Sequence, residues 1–305
     1  MKVALLEGGR SLERAVSLRS GQRVAEALAE LGHEVLQFDL GPELVPALER
    51  ERPEAAFIAL HGVEGEDGTI QSLLDLLEIP YTGPRAVACQ RCMSKGRAKH
   101  LFREREVPTP DWVTYTATSI RDLGAAATFG RSAERLGLPL VIKPNSGGSS
   151  LGVRVVTEAE ALPDAAVSAF NYDDRVLLES WVNGRELAIS ILDDDPLPVV
   201  EAIPADGNAY DFEARYEIGG ARFVCPAELD EVAGAGVEQV ALEAYRALGC
   251  SGYARVDLIL GEAGPAVLEV NAIPGLTETS LMPQAAEAAG IGFTDLVARI
   301  LDLAN

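Results

Sequence analysis

Residues 254–275 read ARVDLILGEAGPAVLEVNAIPG and hold two acids and an amide, Asp257, Glu269 and Asn271, within two apolar runs. Each run is short, rich in β-branched residues and bounded by turn residues, which predicts two strands. Side chains alternate along a strand, so Glu269 and Asn271 share one face. A carboxylate on a buried surface is costly unless it is paired or holds a metal. Asp257 by itself fits an ion pair with Arg255 or a turn cap, whereas acid, acid and amide on adjacent strands fit a hard cation better. Mg²⁺ takes oxygen ligands in octahedral array and is commonly shared between carboxylates and nucleotide phosphates. Asp257, Glu269 and Asn271 are read as a shelf for that metal.

Lys143 to Gly152, KPNSGGSSLG, follows an apolar run and packs three glycines and three serines into ten residues. The backbone N–H groups and hydroxyls of such a loop can close around phosphate oxygens while Lys143 adds charge. It is not a P-loop, because the lysine precedes the glycines and no helix-opening Gly-Lys-Ser/Thr follows. The same composition also suits a flexible turn. Upstream, His61 to Ser72, HGVEGEDGTIQS, puts a histidine and three acids on a glycine-rich loop after a strand. Ligands gather at the carboxyl ends of parallel strands. Glu66 and Asp67 suit equally well the start of the helix TIQSLLDLLE, where acids are favoured.

The elements that must position these groups follow from the chain's punctuation. KVALLEGG predicts a strand, AVSLRSGQRVAEALAELG an amphipathic helix ended by Gly32, and HEVLQFDL and EAAFIALHG two further strands. That is β-α-β with a parallel, doubly wound sheet. Turn residues from Pro80 to Pro84 mark a boundary. Beyond it, CMSKGRAKHLFRERE predicts a helix, VPTPDWVTY an extended stretch and PLVIKP a strand. ELAISIL and PLPVVEAI are strand-like, Ala205 to Ala221 is polar and irregular, and a helix runs from about Asp230 to Leu248 before the two strands of the shelf and a final helix. The irregular stretch is read as a mobile lid. We divide the chain into an N-terminal α/β unit (1–90), a central unit with the glycine/serine loop (91–180) and a C-terminal unit with the lid and the shelf (181–305).

At 305 residues, 48% hydrophobic and 24% charged, the chain is long enough for two or three layers with cores of their own. With 26 basic residues against 47 acidic ones, a net charge of −21 and no dominant basic cluster, binding of nucleic acid by backbone neutralisation is excluded. The short apolar run before Gly8-Gly9 is a strand-and-turn signal rather than a signal peptide, and no stretch approaches a membrane span. A cytoplasmic protein is expected. Cys89 and Cys92 form a CxxC, but a zinc site needs a second close pair, and Cys225 and Cys250 stand alone in the sequence. Reduced, packed thiols are expected.

In order along the chain, GGRSLERAVSLRSG, HGVEGEDGTIQS, YTG, CMSK, VIKPNSGGSSLGV, VLLESWVNGRELAISIL, YDFEARY, GYARVDLIL and LEVNAIPGLTETSLMPQAA closely resemble the D-alanine–D-alanine ligase family of the ATP-grasp superfamily. The resemblance implies an α/β, three-domain ATP-grasp fold, in which a doubly wound parallel sheet is joined to two α+β units that clamp ATP. It implies ATP-dependent joining of two D-alanines, through an acyl phosphate, into the dipeptide used for peptidoglycan. Two Mg²⁺, or Mn²⁺, and a homodimer belong to the same expectation. Lys95 and Lys143 match the family's phosphate-facing lysines, and Ser149 and Ser150 the loop that closes over the phosphates. Glu179, Trp181 and Val182 resemble the hinge that holds adenine, Glu186 the acid on the ribose and Arg215 a lid cation. Asp257, Glu269 and Asn271 match the metal ligands.

By the same carry-over Glu13 receives the ammonium of the first D-alanine, His61 belongs to the substrate side, and Arg255 with the N–H of Gly275 forms the oxyanion site. Ser280 and Leu281 take the carboxylate of the second D-alanine through a hydroxyl and a backbone N–H. Tyr216 would join Ser149 and Glu13 in a hydrogen-bonded group, and a tyrosine there accompanies dipeptide formation where phenylalanine accompanies hydroxy-acid use. Three positions depart from the family pattern: Ser94 stands where aspartate is usual, Gly148 where an acid or amide is common, and Arg215 where lysine is common. Two rival readings are a ligase of the same superfamily with a different amino or hydroxy acid, and a non-catalytic ATP-binding paralogue. The surviving metal, lysine and arginine positions favour an enzyme, since function lives in the site rather than the fold.

Overall fold

The structure is a computed structural model that describes residues 1–148, 150–204 and 221–304. Ser149, Arg215, Tyr216 and all of the expected lid before Ala221 lie outside the described residues.

Strands β1 (Lys2–Glu7), β2 (Glu34–Asp39) and β3 (Ala55–Ile58) form a parallel sheet in the order β2-β1-β3. Val3 to Leu6 are all fully buried, as a central parallel strand covered on both faces requires. The helix Arg14–Glu30 crosses from β1 to β2 and turns Val16, Ser20, Val24, Ala27 and Leu28 inward at helical spacing.

A second, antiparallel sheet is built from β4 (Trp112–Thr116), β5 (Leu140–Pro144), β6 (Arg154–Val156) and β7 (Arg175–Ser180), in the order β4-β7-β5-β6. It has a core of its own around Leu140, Ile142, Leu162, Val176 and Leu178. The chain enters this lobe after Asp111 and leaves it at Ser180, and the Ser180 N–H donates to the Asp111 carbonyl at 2.9 Å.

The third sheet runs β11-β10-β8-β12-β13 through β8 (Gly184–Leu192), β10 (Val200–Pro204), β11 (Ala221–Val224), β12 (Tyr253–Gly261) and β13 (Gly264–Asn271), with the short β9 (Asp195–Pro196) beside β8. Its core is continuous with that of the parallel sheet: Leu5, Phe57, Ala98, Phe102, Leu187, Val256 and Leu258 belong to one cluster. The helix Lys95–Glu104, on the central side of our sequence division, packs Ala98 and Phe102 into this shared core. The single helix expected over CMSKGRAKHLFRERE is two, Ala86–Met93 and Lys95–Glu104, because Ser94 between them is extended (φ −90°, ψ 95°).

Candidate active site

A cavity of ≈ 380 Å³ lies between the second and third sheets, within the range of small-molecule sites. One wall carries Val141 of β5 and Val155 of β6, the opposite wall Ile203 of β10 and Ile259 of β12, and Trp181 and Val182 line the connection from β7 to β8. These apolar walls suit a flat ring. Lys95, Lys143, Ser150, Glu179, Glu186, Asp257 and Glu269, all singled out in the sequence, line this one cavity.

Alternation along β5 places Lys143 beside the glycine/serine loop, but its ammonium is held by Glu179: Nζ donates to Oε1 at 2.7 Å. The other oxygen of Glu179 lies 2.5 Å from Nζ of Lys99, a residue the sequence reading passed over. Burial alone would raise the Glu179 carboxyl, but Lys143 and Lys99 overcome it and hold the group below the usual carboxylate range. Burial pushes the fully buried Lys99 ammonium down to about 8, against the pull of Glu179. Asn145 was also missed. Its Oδ1 accepts from the Gly96 N–H at 2.9 Å and its carbonyl from the Lys95 N–H at 2.9 Å, which fastens the start of the loop to the helix that carries Lys95. Asn145 Nδ2 donates to the Ser94 hydroxyl at 3.2 Å, so the departure at Ser94 still supplies an acceptor.

The two strands pair as the sequence predicts. β12 and β13 are antiparallel, with Asp257 opposite Glu269 and Arg255 opposite Asn271, so that all four share one face while Ala254, Val256 and Leu258 enter the core. Each acid has a cation: Lys95 Nζ is 3.0 Å from Glu269 Oε2, and Arg255 forks onto Asp257 with Nε and Nη2 at 2.7 and 2.8 Å. Asn271 Nδ2 donates to Asp257 at 3.1 Å. Arg255, expected at an oxyanion site, thus faces the shelf. The donor set of two carboxylates and an amide oxygen fits a hard divalent ion, and the cations now beside it answer the same negative charge.

The remaining residues form a second group at the end of the parallel sheet. Glu13 lies at the start of the helix Arg14–Glu30, and a Cβ added to Gly148 would come within 3.1 Å of its Oε1. A side chain at Gly148 would therefore press on the Glu13 carboxylate, which would have to give by a few tenths of an ångström. His61 is buried with both ring nitrogens engaged, Nδ1 at 3.1 Å from the Ile273 carbonyl and Nε2 at 3.2 Å from the Ser20 hydroxyl. Ser20 also accepts from the Leu276 N–H at 3.1 Å, so His61 and Ser20 together tie down the loop that contains Gly275. A side chain at Gly275 would meet Ser280 Oγ at 2.8 Å. Ser280 stands at the start of the helix Leu281–Ala288 without capping it through its side chain; its Oγ accepts instead from the Thr277 N–H at 3.0 Å. Of the two acids left open in the sequence, Asp67 lies one residue before the helix's N-cap, Gly68, and accepts from the first helical N–H, that of Thr69, at 2.9 Å. Glu66 instead lies 3.6 Å from His61, its carboxyl raised by burial and by the nearby charge of Glu13. The CxxC thiols are buried and free, with Cys92 Sγ 3.5 Å from Cys250 Sγ.

A family model described as "D-ala D-ala ligase C-terminus" matches residues 101–302, and one described as "D-ala D-ala ligase N-terminus" matches residues 44–84. A D-alanine–D-alanine ligase of Geobacter sulfurreducens is 44% identical over 302 residues, covering 98% of this chain and 93% of that protein. Another, of Nitrosomonas europaea, is 44% identical over 303 residues, 99% of this chain and 96% of its own. The crystal structure of the D-alanine–D-alanine ligase of Bacillus anthracis complexed with ATP superposes with a TM-score of 0.86 at 32% identity, covering 99% of this chain and 97% of that one.

Proposed function

The chain belongs to the D-alanine–D-alanine ligase family, and from that premise we propose that it joins two D-alanines at the expense of ATP and that the residues gathered around the cavity carry the reaction. The fold is ATP-grasp, and the product serves peptidoglycan synthesis as the family's does. The observation that supports this most directly is the gathering of Lys95, Lys143, Asp257 and Glu269 around one apolar-walled cavity, with Glu13 within reach of the same glycine loop.

A carboxylate is a poor electrophile, so ATP first phosphorylates the first D-alanine to an acyl phosphate, and the amine of the second then displaces phosphate. Val141, Ile259 and Trp181 would hold the adenine ring, Glu186 the ribose, and Lys95, Lys143 and the loop with Ser149 and Ser150 the phosphates. Glu13 would take the ammonium of the first D-alanine, next to the loop that orients the γ-phosphate. Asp257, Glu269 and Asn271 would hold two Mg²⁺, which neutralise phosphate charge during transfer. Lys95, now beside Glu269, would turn to phosphate, and Arg255, now beside Asp257, would meet the developing oxyanion beside the Gly275 N–H. Ser280 and the Leu281 N–H would receive the second carboxylate at a helix N-terminus. His61 would act through Ser20 by fixing the Gly275 loop rather than by touching substrate. Tyr216 with Ser149 and Glu13 would favour an amine over a hydroxyl nucleophile, and Arg215 would complete the phosphate contacts. We place the reaction in the cytoplasm, where ATP is available, and in a homodimer.

The test is the purified protein with ATP, MgCl₂ and a panel of D- and L-amino and hydroxy acids, read by product mass and phosphate release. D-Alanyl-D-alanine is the expected main product at neutral pH. Glu269→Gln, which removes a charge without adding bulk, should turn over about tenfold to a hundredfold slower or worse. A depsipeptide or mixed dipeptide as main product overturns the specificity, and full activity of Glu269→Gln at limiting Mg²⁺ overturns the metal shelf.

A further inference from the structure

Lys143 has a conflict built into its surroundings. It is placed to meet a nucleotide phosphate, yet its ammonium is bound to Glu179, a carboxylate only 2% exposed. Were Lys143 to turn away, a buried carboxylate with no other cation would be left behind, which costs far more than one phosphate contact returns. Lys99 removes that cost. Fully buried and not among the residues that line the cavity, it reaches Oε2 of Glu179 while Lys143, which does line it, holds Oε1. Its own position is fixed from two further directions, by Nζ donating to Thr109 Oγ1 at 2.6 Å and to the Pro110 carbonyl at 3.1 Å. Thr109 in turn donates to the Val267 carbonyl at 2.7 Å, on the strand that carries Glu269 and Asn271. The ring of the buried Trp112 lies 5.4 Å from Nζ. The trio of Lys99, Glu179 and Lys143 therefore carries one more positive than negative charge, in a place that water does not screen.

We infer that Lys99 is a positioning residue for nucleotide binding: by neutralising Glu179 at Oε2, it lets Lys143 exchange that carboxylate for phosphate oxygens. The inference rests on the proposed ATP site and touches no reacting atom. Without Lys99, the Glu179–Lys143 pair closes on itself, and Lys143 is withheld from the ligand.

The experiment measures equilibrium binding of a non-hydrolysable ATP analogue with MgCl₂, in the absence of D-alanine, for wild type, Lys99→Met, Glu179→Gln and the double variant. Lys99→Met should bind the analogue at least about tenfold more weakly. Its KM for D-alanine should match wild type, because the Glu13 group lies outside the trio. The double variant should bind within about threefold of Glu179→Gln alone, since glutamine leaves no charge for Lys143 to be trapped by. If Lys99→Met does not fold, the double variant decides, because its buried pair is neutral. Wild-type affinity in Lys99→Met, or a double variant about tenfold weaker than Glu179→Gln, overturns the inference. Nucleotide binding by a wild type that makes no D-alanyl dipeptide overturns the ligase reading and leaves this test standing; a wild type that binds no nucleotide overturns both.

Discussion

Lys99 also carries a pH signature. Its ammonium is pushed down to about 8 in the folded chain from 10.5, so below pH 8 it is charged in both folded and unfolded chains and its burial opposes folding. Between pH 8 and 10.5 the unfolded chain holds the proton and the folded chain does not, and the stability contributed by Lys99 therefore rises with pH through that window. Urea denaturation of wild type against Lys99→Met should show the difference growing in favour of wild type by about 3 kcal/mol between the two ends, with nucleotide affinity falling over the same range as Glu179 loses its buried partner. A flat difference would show that Lys99 keeps an ordinary pKa. The face that Glu269 and Asn271 share was legible in the sequence because strand alternation alone puts them together. Lys99, Asn145 and Ser20 were not, because their partners are remote in the chain: Asn145 meets Gly96 across 49 residues and Ser20 meets Leu276 across 256. No local pattern distinguishes such residues from ordinary polar positions.

Among the elements, the helix Glu231–Leu248 shows how a cap sets a boundary. Asp230 Oδ1 accepts from the Ala233 N–H at 2.9 Å, satisfying a donor that the first turn leaves unpaired. The inward residues Val237, Ala241, Ala244 and Leu248 belong to the shared core that backs β12 and β13. Asp230→Ala should cost about 1 kcal/mol of stability in chemical denaturation while leaving the KM for ATP unaltered. A changed KM with unchanged stability would tie the cap to the site instead of the scaffold. Start and stop signals of this kind made most elements readable. The break at Ser94 was not, since nothing local in CMSKGRAKHL forbids a continuous helix. It arises because Asn145, from the loop, occupies the N–H groups of Lys95 and Gly96 that a continuous helix would bond internally.

Across the whole molecule, the parallel sheet and the third sheet share one core and the second sheet keeps its own. Leu178→Ala and Leu258→Ala each remove a fully buried side chain and should each cost about 2–5 kcal/mol. Calorimetry should show the first lowering one transition and the second lowering another; one transition displaced equally by both would mean that the two cores melt as a unit. Composition could not reveal this division, because a shared core joins residues such as Phe57 and Leu258 that lie far apart in sequence. The meeting of Asp111 and Ser180 has a consequence for how such a chain can be recombined. Everything between them is a closed excursion from a body whose two halves are built from the segments on either side. Those two residues are accordingly the natural crossover points for a chimaera: a relative's middle segment, exchanged there, would arrive with its own interior intact and would have to keep the backbone bond at its neck, the asparagine that meets Lys95 and Gly96, and the carboxylate that meets Lys99.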